Sequence, residues 1–145
     1  MYFVDRGRIE EILTYMEGVL GELKKGSFTS SYEKYALERM VHVLIESTLD
    51  VGNMMIDGFI MRDPGSYEDI IDILIDEKVL PSEEEENYKE VIRLRKTLVN
   101  EYTAVDHYSL YESVHKNWGS LQNFSARIRK YMDNELGVAN AFTNE

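Results

Sequence analysis

The stretch from Ser30 to Phe59 constrains the fold more than any other part of the chain. It opens on Ser30-Ser31-Tyr32-Glu33, a capping-box pattern in which Ser30 and Glu33 can satisfy backbone N–H groups that a first helical turn leaves without partners. Tyr35, Ala36, Met40, Val43, Leu44, Val51, Met54, Met55 and Phe59 then keep a helical period, with no proline to interrupt them. The pattern predicts one helix running to about Phe59 or Ile60. At 1.5 Å per residue such a helix spans roughly 45 Å, long for a chain of 145 residues. Ser47 and Gly52 put small side chains on it, which points to close packing against a neighbour.

Other helices are spelled out around this one. Ile9, Ile12, Leu13, Met16, Val19, Leu20 and Leu23 make a single apolar stripe and predict a first helix from about Asp5 to Leu23, ended by Lys24, Lys25 and Gly26. Asp63-Pro64-Gly65 is a turn, and Ser66 caps a short helix that buries Ile70, Ile71, Leu74 and Ile75. Val79-Leu80-Pro81 breaks the chain again. Ser82 with Glu85 reads as a second capping box, and Glu83 to Glu86 load the start of the next helix with negative charge, which the helix dipole favours. The acidic run is thus a helix start, not a metal site. That helix is expected to reach Tyr102 or Val105, and a last one to cover Leu110 to Met132 through Leu110, Val114, Trp118, Leu121, Phe124, Ile128 and Tyr131. No internal repeat and no strand pattern is present. The expected fold is all-α, an antiparallel bundle of four long helices plus one short one. It forms a single domain over residues 1–136, with 137–145 a flexible C-terminal tail.

Composition narrows the function. The chain has no cysteine, so it carries no disulfide framework and no thiolate metal site. No apolar run approaches the roughly 20 residues of a membrane span, and Met1 to Val4 is too short for a signal peptide, so the cytoplasm is the expected location. A net charge of −11 gives no bulk attraction for nucleic acid and argues against a non-specific binder; DNA is not an expected partner. Two local basic clusters, Arg93/Arg95/Lys96 and Arg127/Arg129/Lys130, read on their own as solvated helix surface.

Near the end of the fourth predicted helix stands R-K-T-L-V-N-E-Y, Arg95 to Tyr102. It resembles the R-x-x-x-x-H-x-Y signature of the HepT-like HEPN family, the toxin component of HepT/MntA-type toxin–antitoxin systems. The resemblance spans about residues 5 to 133. It also rests on Glu38-Arg39 followed by Glu46 and Asp50 on the long second helix, on Pro64 with Ser66-Tyr67-Glu68-Asp69, and on the turn at Lys78-Val79-Leu80. The family cuts RNA without a metal, at a composite site built across a homodimer. The 2′-hydroxyl attacks the adjacent phosphate, a histidine moves protons and an arginine stabilises the phosphorane. The resemblance assigns the arginine to Arg95 and the tyrosine, which a partner MntA-like nucleotidyltransferase antitoxin modifies with AMP, to Tyr102. Asn100 stands where the family has its histidine, and Lys96 where it usually has a small polar residue.

The spacing sets what these residues can do. Position 100 lies about 140° round the helix from position 95, so the two enter a cleft from different angles. An amide can hold a phosphate oxygen or a 2′-hydroxyl, but it does not titrate near neutrality and cannot act as general acid or base. None of His42, His107 or His115 has an arginine five to seven residues upstream; His107 is the one candidate to replace the missing group. The expectations are therefore a homodimer, an RNA substrate, no cofactor and no metal. Arg95 would be held by Glu46 or Asp50, ribonuclease activity weakened by Asn100, and Tyr102 accessible to modification. The alternative is a catalytically silent dimer that serves as a binding or regulatory module for a nucleotidyltransferase or RNA. Plainer readings stand beside these: an internal ion pair for Arg95, a packing or interface ring for Tyr102, a half-buried hydrogen-bonded His42, and packing for Met54, Met55 and Met61. A carboxylate-bridged di-metal bundle needs two Glu-x-x-His pairs; Glu112 to His115 is the only one, since Glu38 and His42 are four apart.

Overall fold

The structure, a computed structural model, describes the backbone of residues 2–143 and the side chains of residues 2–137. Its first helix, α1 (Arg6–Lys25), starts where Asp5 accepts a hydrogen bond from the Arg8 N–H at 3.0 Å. Its buried stripe is the expected one, with Val19 only partly covered. Gly26 ends it in an extended conformation, so the glycine is not there for backbone freedom. A Cβ at this position would sit 2.5 Å from the Phe28 ring, which folds back onto the helix end.

Helix α2 (Ser31–Gly58) begins with both halves of the capping box. The Glu33 N–H donates to Ser30 Oγ at 3.2 Å, and the Ser30 N–H donates to Glu33 Oε1 at 2.9 Å. It is the axis of the molecule, since α1 and the next three α-helices of the chain all pack on it. Leu37, Val41, Leu44, Ile45, Leu49 and Met55 carry its buried face, whereas Tyr35 is exposed. Gly52 bears out the expected close approach: an added Cβ would lie 2.5 Å from Ile70 Cγ2. That methyl belongs to α3 (Tyr67–Asp76), which is capped by Ser66 and tied to the preceding turn by a bidentate Arg62–Asp69 pair at 2.8 and 2.9 Å.

The start of the next helix differs from expectation. No Ser82–Glu85 capping box forms. Ser82–Glu84 is a single 3₁₀ turn, and α4 (Glu85–Asn100) follows without a side-chain cap. The reason is Glu84, which turns inward and is buried. Its carboxylate accepts from Tyr88 Oη at 2.8 Å, Asn123 Nδ2 at 3.0 Å, and Arg127 Nε and Nη2 at 2.8 and 3.0 Å. A buried charge needs such a full set of partners, and these bolt the head of α4 to the last helix.

Helix α4 also stops earlier than expected, at Asn100 rather than Tyr102 or Val105. Asp106 then caps α5 (His107–Lys116), accepting from the Ser109 N–H at 3.1 Å. The single last helix expected from Leu110 to Met132 is two: α5, and α6 (Trp118–Thr143). The joint is Asn117, which is buried. Its Nδ2 donates to the Ser113 carbonyl at 2.7 Å and to Glu90 at 2.9 Å, while its Oδ1 accepts from Asn87 at 2.8 Å. The Asn117 backbone N–H donates to the same Ser113 carbonyl at 3.2 Å, so side chain and backbone share one acceptor where α5 ends. The helical backbone of α6 runs on past Gly137, where the tail was expected to begin, and Asn144 and Glu145 lie outside the described residues. The fold is all-α: four long helices, two short ones and one 3₁₀ turn among the described residues. No helix among them is long and apolar enough to cross a membrane.

Candidate functional site

Three elements meet at Arg95. The side chain leaves the third turn of α4 and donates from Nε to Glu46 Oε1 of α2 at 2.8 Å. Its guanidinium carbon lies 4.6 Å over the ring of Tyr67, the first residue of α3. Stacking on an aromatic face and pairing through one edge leave a planar guanidinium oriented but unsaturated. Among the described residues no hydrogen bond engages either Nη group. The hydrogen bond to Glu46 raises the pKa of Arg95 further, so the cation is permanent.

Of the two candidate carboxylates on α2, the structure brings only Glu46 to Arg95. Asp50 is exposed and lines, with Glu46, an open cleft of about 1000 Å³ between α1 and α2. Although the residue as a whole is exposed, partial desolvation of its carboxyl against the cleft wall, and then the like charge of Glu46, push the group above the usual range. His42 is half-buried, with Nε2 3.5 Å from Glu46 Oε1. The plainer reading of Arg95 as a member of an internal ion pair and the site reading therefore describe the same contact.

Asn100 is the last residue of α4 and is exposed, and Lys96 is exposed beside Glu101 at 3.9 Å. Tyr102 lies past the helix end, 67% exposed. It is not a core ring. His107 is not brought to Arg95. It heads α5 with Nε2 2.7 Å from Glu38 Oε2, and Glu38 sits eight residues before Glu46 on α2, about 12 Å along the axis. Sequence reasoning missed the His107–Glu38 pair and the Tyr67 ring under Arg95. The signal for the pair was present: Lys34, Glu38, His42, Glu46 and Asp50 follow one another at four-residue steps, so each neighbours the next along one slowly winding ridge of α2. Among the described residues no three His, Asp or Glu side chains converge as a metal site would require.

Residues 9–128, a span that includes Glu46, Tyr67, Arg95, Asn100, Tyr102 and His107, match the family described as Ribonuclease HepT-like. The chain belongs to the HepT-like ribonuclease family. A Bacillus subtilis (strain 168) protein named "Putative RNase YutE" is 48% identical over 143 residues, covering 98% of this chain and 99% of that one. A solved structure, "Structure of Cytosolic Protein of Unknown Function YutE from Bacillus subtilis", superposes with a TM-score of 0.92 at 48% identity, over 94% of this chain and 96% of the other. In this HepT-like chain the residue types at the site can hold an anion and orient it. A permanent cation with a free fork does the first, and an amide at the helix end contributes hydrogen bonds but no proton transfer.

Proposed function

We propose that this HepT-like protein is the ribonuclease toxin of a bacterial toxin–antitoxin pair. It acts in the cytoplasm on RNA at a composite site formed by two copies of the chain, with its rate held down by Asn100. The observation that carries the reading is Arg95, fixed by Glu46 at 2.8 Å and by the Tyr67 ring while its Nη fork stays unengaged. In this chemistry the 2′-oxygen bonds to phosphorus, the 5′-oxygen leaves, and the products are a 2′,3′-cyclic phosphate and a 5′-hydroxyl. One proton departs from the 2′-hydroxyl and one reaches the leaving oxygen. Arg95 binds the phosphate and the charge that builds on it. No metal is required for either step. With Asn100 both proton transfers fall to water, which removes a factor of roughly 10²–10⁴.

The experiment incubates purified protein with total RNA and compares wild type, Arg95→Ala and Asn100→His. Wild type should cut weakly and Arg95→Ala not at all. Asn100→His should cut at least tenfold faster, because it restores a group that titrates near neutrality. Robust wild-type cleavage would show that another residue supplies the proton, with His107 tested first. Light scattering should give twice the 16.9 kDa chain mass; a monomer at tens of micromolar would remove the composite site.

The same Asn100 favours one second reading, a catalytically silent dimer that serves a nucleotidyltransferase. An inert Asn100→His protein would select it. In either case the exposed Tyr102 hydroxyl is the acceptor for AMP from an MntA-like partner. Tyr102 Oη would attack the α-phosphate of ATP and release pyrophosphate. Mass spectrometry after co-expression with a neighbouring nucleotidyltransferase should find the adduct on Tyr102; a stable complex with unmodified Tyr102 would mean inhibition by occlusion.

A further inference from the structure

Most cations of this acidic chain are spoken for. Arg129 is claimed by Glu10 and Glu17, Arg127 by Glu84, Arg93 by Glu68 and Glu86, and Lys89 by Asp72 and Glu85. Five cations make no ion pair among the described residues: Lys24, Lys34, Arg39, Lys78 and Lys130. Arg39 lines the acidic α1–α2 cleft, and Lys78 and Lys130 share a hollow with Glu83, so Lys24 and Lys34 are the two set among aromatic rings. Both line hollows on one side of the molecule. Lys34 lies in a hollow of about 620 Å³ with Phe28, His107, Tyr108 and Tyr111. Lys24 lies in one of about 220 Å³ with Tyr111, His115 and Trp118. Tyr111 belongs to both, so the two form one groove from the α1–α2 turn across α5 to the head of α6.

The groove is floored with rings. Phe28 meets Tyr111 at 5.8 Å between centroids, and Tyr111 stacks on His115 at 5.7 Å with 17° between the planes. Lys24 sits 4.6 Å over Trp118. Tyr108 is 76% exposed, an apolar ring that packing in the monomer does not use. Among the described residues the only carboxylate lining either hollow is Asp106, which is engaged as the N-cap of α5. The larger cleft between α1 and α2 is a poor host for an anion by comparison, since Glu11, Glu22, Glu46 and Asp50 all line it.

Aromatic faces alternating with unpaired cations are what single-stranded nucleic acid requires: every base has a face to stack, and every phosphate needs a cation. We propose that this groove is the binding platform for single-stranded RNA, which it holds by base stacking on Tyr108, Tyr111 and Trp118 and by phosphate contacts to Lys24 and Lys34. The proposal rests on the ribonuclease reading and places the substrate beside it. Lys34 is twelve residues before Glu46 on α2, so the groove opens roughly 18 Å from Arg95 along that helix. His107, bonded to Glu38, lies between the two. A duplex, with its bases stacked internally, cannot use the platform, so the groove selects unpaired RNA.

The test measures binding separately from cleavage. A fluorescein-labelled oligouridylate of about eight nucleotides is titrated with wild type, Tyr108→Ala, Lys34→Ala, the double variant, Arg95→Ala and Lys130→Ala. Anisotropy and the emission of Trp118, the single tryptophan, are followed together. Wild type should bind the oligomer in preference to a duplex of equal length, with quenching of Trp118. Tyr108→Ala should weaken binding on the order of tenfold. Lys34→Ala should lower the slope of log affinity against log salt by about 0.7, and Lys130→Ala, outside the groove, should do neither. An unchanged affinity in the double variant, with binding lost in Arg95→Ala, would overturn the groove and leave the ribonuclease reading standing. Groove-dependent binding with no cleavage even by Asn100→His would do the reverse. No oligomer binding by wild type up to about 100 µM, or a double variant that changes oligomeric state instead of affinity, would overturn the platform; the latter would assign the groove to protein contact.

Discussion

Arg95 and Glu46 divide one another's roles. The carboxylate positions the guanidinium, but it also neutralises the charge that a phosphate would seek. Both side chains are about one-third exposed, at 28% and 38%, so solvent screening keeps the pair in the range of roughly 0.2–1 kcal/mol. Glu46→Gln keeps an acceptor at the same place and removes the charge. It should lower stability by no more than about 1 kcal/mol in urea unfolding, and it should tighten oligonucleotide binding at Arg95 by a few-fold. Weaker binding would mean that Glu46 matters for aim more than for charge. Glu84 has the opposite character. It is deeply covered, it accepts from three side chains, and its loss takes the acceptor from Arg127 and Asn123, while the Tyr88 hydroxyl keeps the Ser120 carbonyl at 3.0 Å. Glu84→Ala should cost about 2–3 kcal/mol by the same measurement, with little change in the first-turn geometry of α1 and α2.

At the scale of elements, two helices end in the same strained way. Met61 N–H reaches the Ile56 carbonyl at 2.9 Å, and Val79 N–H reaches the Leu74 carbonyl at 2.8 Å. These six-to-one bonds define Schellman motifs, whose C′ residue takes positive φ and is usually glycine. Here the C′ residues are Ile60 at φ 56° and Lys78 at φ 62°. A β-branched residue is the worst fit for that conformation. Ile60 is 73% exposed, so little packing offsets the strain. Ile60→Gly should therefore stabilise the protein by about 1 kcal/mol, seen as a higher urea midpoint at unchanged slope. Gly52→Ala should act the other way. Its new Cβ would lie 2.5 Å from Ile70 Cγ2, and α3 would have to move off α2 at a cost of about 1–3 kcal/mol.

For the molecule as a whole, the ion pairs between distant elements set the response to acid. Hydrogen bonds from Arg129 hold Glu10 and Glu17 below the usual glutamate range, and one from Asn117 does the same for Glu90. Burial pushes Glu84 up, but hydrogen bonds from Arg127, Asn123 and Tyr88 outweigh it and leave it lowered. A carboxyl whose folded value is depressed adds stability above its unfolded value, about 4.3 for glutamate, and loses it as pH falls through the folded value. Asp50 runs against this, since its raised value favours the folded state slightly as pH falls. Glu33, Asp69 and Asp106 are lowered as well, chiefly by hydrogen bonds from Ser30, Arg62 and Ser109, so seven lowered carboxyls outweigh one raised one. The melting temperature should be flat above about pH 5 and fall steadily below it. Arg129→Ala should flatten that fall, because Glu10 and Glu17 lose their shared partner. A melting temperature that rises on acidification would show instead that relief of the −11 charge dominates.

Features that depend on neighbours three or four residues apart can be read directly from the chain. The capping box at Ser30, the Ser66 cap and the apolar stripe of α1 were all legible, because a cap and a stripe are closed by a single helical turn. The Arg95 to Tyr102 motif was legible for the same reason, and it carried the family with it. Sequence also limited Arg95 to an α2 partner, but at four-residue spacing Glu46 and Asp50 are equivalent. Only the tertiary structure chose Glu46, across 49 positions of chain. It likewise turned Glu84 inward to Arg127 and spent the expected capping box, and it placed Asn117 against Glu90 and Asn87 so that one helix became two. The end of α4 at Asn100, which sets Tyr102 out in solvent, also came from outside the helix pattern, where Asp106 starts a new helix. Local hydrogen bonds fix where a helix can begin. Which polar group is buried, and which carboxylate meets which cation, follows from the desolvation of groups that only folding brings together.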